Sequence, residues 1–164
     1  MKNTNFFSKR SAERFVEPSG RDDRVLISIT TPAVPDSLSA HCTPAVLHDA
    51  SWKDVLRLEF DDADPSHMNA SQATQYRLFN EDDAVKILKF LKKHQDDTVY
   101  ALVHCEAGIS RSAAVSKFIA LIYNLSFPEQ YSIYNKHVFS TLMRVHGESL
   151  YGDGLLPTSD LPGL

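Results

Sequence analysis

Residues 104–112 read HCEAGISRS and follow the apolar stretch VYALV. They contain one of only two cysteines in the chain, with a glycine and an arginine close behind it. A thiol acts as a nucleophile through its thiolate, and nearby positive charge favours that form. Backbone N–H groups from Glu106 to Arg111, running into the start of a helix, would supply such a field and cradle an anion. Cys105 is therefore expected to ionise there. Gly108 lets the backbone turn where a side chain would crowd the anion. Arg111 carries a planar fork that meets two oxygens of a phosphoryl group. Ser112 adds a hydroxyl that can donate to a departing thiolate. A nucleophile at the floor, the amides of Glu106, Ala107, Gly108, Ile109 and Ser110 around the wall, and a guanidinium clamp suit attack on a tetrahedral dianion. The plain alternative is a structural Cys105 with Arg111 in a surface salt bridge.

Expelling an alkoxide or phenolate also calls for a proton donor beside the leaving oxygen. The stretch FDDAD (60–64) offers Asp61, Asp62 and Asp64 just past a strand end, on the same edge as the cysteine. A merely solvated acidic turn is the competing reading, because aspartate is usually exposed. His104 points to the opposite side of its strand from Cys105. It either orients the loop by hydrogen bonding or is a satisfied structural histidine.

These residues need a scaffold, and the hydrophobic patterning supplies one. VLISI (25–29) is rich in β-branched residues, VLRLEF (55–60) alternates, and TVYALVHC (98–105) is nearly continuously apolar; all three read as strands. The last is expected to be central, covered on both faces. Asn80 is placed to cap a helix whose first turn holds Glu81, Asp82 and Asp83, whose buried face holds Ala84, Ile87, Leu88 and Leu91, and whose end holds Lys92, Lys93 and His94. RSAAVSKFIALIYNL reads as a largely buried helix. Ser126 and Glu129 read as a capping box with Pro128 early in a further helix that stops near Gly147. Residues 61–80 form a long polar connection of the length that usually carries function. The expected fold is a three-layer α/β/α domain around a mostly parallel sheet, with the 104–112 loop at the carboxyl end of its most buried strand, where such sheets bind ligands. Residues 1–24 read as a polar arm, 25–150 as the domain and 151–164 as a tail.

The bulk numbers suit one soluble domain: 164 residues, 43% hydrophobic, 23% charged, formal net charge -4. Basic residues are scattered, which argues against nucleic acid as partner. Two cysteines, Cys42 and Cys105, make neither a disulfide scaffold nor a zinc site. No run is apolar enough to cross or anchor in a membrane and no signal peptide is visible, so a cytoplasmic, reducing location is expected. Cys42 reads as a free buried thiol, with a redox partnership to Cys105 as the alternative.

HCEAGISRS resembles the signature loop of the cysteine-dependent protein tyrosine phosphatases, in their dual-specificity-like branch, and most of all small bacterial members. VLISIT, VLRLEFDD, FNEDDAVKILKFL and PEQYSIYNKHVF share the likeness, which spans roughly residues 25 to 146. The resemblance implies a phosphotyrosine-phosphatase-like fold and a phosphocysteine on Cys105, with no metal or other cofactor. It implies that Arg111 and the 106–111 amides bind phosphate and that Ser112 assists the thiolate. It picks Asp62, two residues beyond a phenylalanine, as general acid, with Asp64 and then Asp61 as alternatives. Lysines in this loop mark relatives that act on inositol lipids. Here the variable positions are Glu106, Ala107, Ile109 and Ser110, which favours a phosphorylated protein, foremost on tyrosine, or a small aryl phosphate. Trp52, Tyr76 and Phe79 are candidate walls for an aromatic ring, or else core and surface. A binding module without a placed acid is the rival function. A sulfurtransferase lacks this loop pattern, and an arsenate reductase of the small-phosphatase type carries its loop near the N-terminus.

Overall fold

The structure, a computed structural model, describes residues 1–17, 19, 21–33 and 42–152, the side chains of 150–152 aside. Four strands, β1 (Asn3–Ser8), β2 (Arg24–Thr30), β3 (Asp54–Glu59) and β4 (Tyr100–Cys105), form one sheet in the order β1-β4-β2-β3, and every pairing in it is parallel. β4 is internal, hydrogen-bonded to β1 on one side and β2 on the other. That is why its sequence is apolar almost throughout.

Alternation along β4 sorts the two faces. Ala101, Val103 and Cys105 join Val25, Ile27 and Ile29 in the main core, under α3 (Glu81–His94), α4 (Arg111–Ile122) and α5 (Lys136–Gly152). The opposite face carries Leu26, Ser28 and His104, with α1 (Lys9–Arg14) and the Phe15–Trp52 ring pair on that side. Helices on both faces of a parallel sheet make this an α/β domain of the expected class.

α3 forms as its sequence predicts. Asn80 and Asp83 close a reciprocal capping box, and Ala84, Ile87 and Leu91 are buried. Just past the end of α4, Asn124 adopts φ of 53°, which lets Leu125 N–H reach back to the Ala120 carbonyl at 2.7 Å. The 61–80 connection contains a 3₁₀ turn (Pro65–His67) and α2 (Ala70–Ala73).

Three expectations need correction. Within 1–24, Asn3–Ser8 is a sheet strand, not an arm. Its Asn3 and Asn5 disguise it, but Thr4 and Phe6 share the α4 side, where Thr4 Oγ1 lies 3.0 Å from Ser116 Oγ. No helix starts at Pro128. Phe127 and Tyr131 pack their rings on Phe6 instead, and Asn135 caps α5 by accepting from Val138 N–H at 3.0 Å. α5 also runs through Gly147, where a side chain would meet nothing, and on to Gly152. The tail beyond 152 lies outside the described residues.

His104 sits wholly buried, its Nε2 2.8 Å from Ser28 Oγ and its ring stacked on Phe7. Burial pushes its pKa down to about 4, so it is neutral in the native state at neutral pH. The unfolded chain takes up this proton below about pH 6.5, the native state only near 4. The unfolded state therefore binds more protons between those values. The stabilisation is whole above about 6.5 and is lost as pH falls through about 4. Urea unfolding should show on the order of 3 kcal/mol lost across that window. His104→Gln, which keeps a partner for Ser28 and cannot titrate, should flatten the slope.

Candidate active site

α4 begins immediately after the 106–110 loop, at the carboxyl end of β4. Ser110 occupies its N-cap position yet makes no cap bond; its hydroxyl donates to Asp62 Oδ1 at 2.8 Å. The first-turn amides of α4 therefore lack the side-chain acceptor that usually satisfies one of them. The amides of Ala107 to Ser110 also donate to no described residue. A run of unpaired donors at a helix N-terminus is a place for an anion.

Cys105 is 2% exposed, and its Sγ lies 3.1 Å from the hydroxyl of the buried Ser112, the second residue of α4. Arg111 is 4% exposed. Its Nη1 donates to the Phe60 carbonyl at 2.7 Å, while its buried Nε has no partner among the described residues. One bond thus fastens the guanidinium to the end of β3 and leaves N–H groups for another acceptor.

The three aspartates after β3 are separated by their partners. Asp61 Oδ2 accepts from Arg77 N–H at 2.8 Å. Asp64 caps the 3₁₀ turn, accepting from Ser66 N–H and its hydroxyl, and those bonds lower its pKa. Asp62 alone of the three reaches the loop, with Oδ1 taking both the Ser110 hydroxyl and the Asn135 amide, the latter at 2.9 Å. His104 bonds across to β2 on the far face of the sheet, away from the loop it was expected to orient.

Two residues near the loop escape the sequence reading. Tyr131 donates its hydroxyl to the Ile109 carbonyl at 2.7 Å, and burial raises its pKa, with the Cys105 charge adding to the rise. Nothing in its sequence setting marks it. Asn135 carries a signal, since it precedes Val138, Phe139 and Leu142 at helical spacing. Of the suggested aromatic walls, Trp52 and Phe79 are buried against Phe15 and Phe60, and Tyr76 is exposed on the 61–80 connection. Cys42 and Cys105 are both free thiols, and Cys42 is half-buried.

No protein-family model matches the chain, and neither does any curated protein. Among solved structures it is similar to Tk-PTP in its active form, with 14% identity, 87% of this chain and 75% of that chain covered, and a TM-score of 0.36. Similarity of that degree says nothing about activity or residue roles.

Gly108 adopts φ of 70°, and a Cβ there would stand 2.3 Å from the Phe7 carbonyl carbon and the Ser8 nitrogen. The glycine is required by the close approach of β1, where the sequence suggested crowding of an anion. Gly108→Ala combines left-handed strain with a backbone clash. It should cost on the order of 2–3 kcal/mol or more in urea unfolding, from strain and overpacking together.

Proposed function

We propose that this chain is a phosphomonoester hydrolase that works through a phosphocysteine on Cys105, with phosphotyrosine in proteins as its foremost substrate and phosphoserine or phosphothreonine as lesser ones. One observation carries the reading. A buried thiol, a hydroxyl 3.1 Å from it, an anchored arginine with an unpaired Nε and an uncapped helix start meet a carboxylate brought from the segment after β3.

In the first step the Cys105 thiolate attacks phosphorus, the S–P bond forms and the bond to the leaving oxygen breaks. Asp62 protonates that oxygen. Arg111 and the 107–111 amides hold the three equatorial oxygens, where most of the stabilisation of the transition state arises. In the second step water attacks phosphorus and gives its proton back to Asp62. The S–P bond breaks, and Ser112 donates its hydroxyl proton in a hydrogen bond to the returning thiolate. Inorganic phosphate leaves. The contact of Asp62 with Ser110 favours this reading over a binding module that lacks a placed acid.

The loop presents Glu106, Ala107, Ile109 and Ser110 and no lysine, which suits a singly phosphorylated side chain better than a polyphosphorylated inositol. Ile109 is exposed beside Tyr131, giving the rim apolar surface for an aromatic ring. No described helix is long and apolar enough to cross a membrane, and a reducing cytoplasm would keep both free thiols reduced.

Phenyl phosphate turnover tests the reading. Wild type should hydrolyse it and Cys105→Ser should not. Asp62→Asn should lose about 10²–10⁴-fold in kcat and flatten the alkaline limb of the pH profile. Asp64→Asn should stay within about threefold, because its carboxyl acts on the local turn. A wild type as inert as Cys105→Ser would sink the proposal, and a collapse in Asp64→Asn alone would move the acid to Asp64.

A further inference from the structure

Taking Asp62 as the proton donor raises two questions: what holds its carboxyl against the loop, and which oxygen carries the proton. Asn135 bears on both. It is 7% exposed, and each of its polar atoms is engaged. Its backbone N–H donates to the Ser110 carbonyl at 3.2 Å, and its carbonyl accepts from Phe139 N–H at 3.2 Å. Its Oδ1 accepts from Val138 N–H at 3.0 Å as the cap of α5. Its Nδ2 donates to Asp62 Oδ1 at 2.9 Å and to the Ala63 carbonyl at 3.3 Å. The amide has only one workable orientation. Turned over, its NH₂ would face the Val138 N–H and its oxygen would face two other oxygens.

We propose that Asn135 is the positioning residue of this site, and that with Ser110 it assigns the transferable proton of Asp62 to Oδ2. Both donors land on Oδ1, at 2.8 and 2.9 Å. A carboxylic acid has one oxygen that only accepts and one that carries the proton, and two donors on Oδ1 make it the accepting one. Oδ2 receives no bond from any described residue. In the first step Oδ2–H therefore gives its proton to the leaving oxygen, and in the second Oδ2 takes one from the attacking water. Oδ1 keeps both bonds throughout, so the carboxyl does not reorganise between steps. The same residue holds the Ser110 carbonyl, which sets acid and cradle loop in one register. This inference rests on the phosphatase reading.

Asn135→Asp separates positioning from capping. It keeps an acceptor for Val138 N–H, because aspartate caps as well as asparagine. It also puts a second carboxyl oxygen against Asp62 Oδ1, so the pair must hold one proton between them, away from Oδ2. For phenyl phosphate, whose leaving oxygen needs a proton, kcat/KM should fall about 10–100-fold. For 2,4-dinitrophenyl phosphate, whose phenolate departs unprotonated, the fall should be at most about threefold. The thermal midpoint should stay near that of wild type. In an Asp62→Asn background the substitution should add nothing on phenyl phosphate. Asn135→Ser, which retains a capping oxygen and adds no charge, should give the same leaving-group pattern. Equal losses on both esters, or losses additive with Asp62→Asn, would overturn the positioning role. A wild type that turns over neither ester faster than Cys105→Ser would instead overturn the phosphatase reading, and this inference with it.

Discussion

The orientation of one hydroxyl organises the carboxyl edge of this sheet. Ser110 sits where a helix normally receives its cap, and a serine there ordinarily turns its oxygen to the first-turn amides. Here it turns to Asp62. The helix start is left open toward solute, and a carboxylate from the segment after β3 is held at its rim. Both consequences come from a single bond of 2.8 Å. Had Ser110 capped α4, the amides would have an internal partner and Asp62 would have lost one of its two anchors.

The sheet makes this arrangement possible. Parallel pairing puts the ends of β2, β3 and β4 on one edge, so the cysteine after one strand and the aspartates after another come close without long excursions. Arg111 then ties α4 to that edge through the Phe60 carbonyl, a backbone acceptor whose position the ladder itself determines. The guanidinium is thus placed by main chain and not by a side-chain carboxylate. Burial at 4% exposure strengthens every electrostatic contact it makes.

Much of this was readable in the residues. β2 and β4 are internal parallel strands that announce themselves as apolar runs, and β3, at the sheet edge, announces itself by alternation. α3 carries its own start in Asn80 and Asp83 and its own end in Lys92 and Lys93. Cys105, Arg111 and Ser112 are legible because the loop that joins them is contiguous. What escaped depends on contacts between distant segments. β1 shows two asparagines to solvent, and its pattern has meaning only beside β4. Ser126 and Glu129 make as good a local cap as Asn135 does, and the packing of Phe127 and Tyr131 on Phe6 decides between them. Likewise, three aspartates within four residues cannot be ranked by spacing. Arg77 and Ser66 take two of them, and Asn135, from the start of α5, helps to hold the third.

β1 has one further consequence, for the order in which the molecule assembles. Its backbone closes on Gly108, so the cradle loop has its final shape only when that strand is in place. Yet β1 finds its sole strand partner among the described residues in β4, roughly a hundred residues later in the chain, and pairings that distant are the slow ones in folding. A strand made early must wait, unpaired, for its neighbour to be synthesised. The loop after Cys105 therefore takes its finished shape only with this long-range closure, and a chain that lacks it carries the cysteine without the backbone that packs against Gly108.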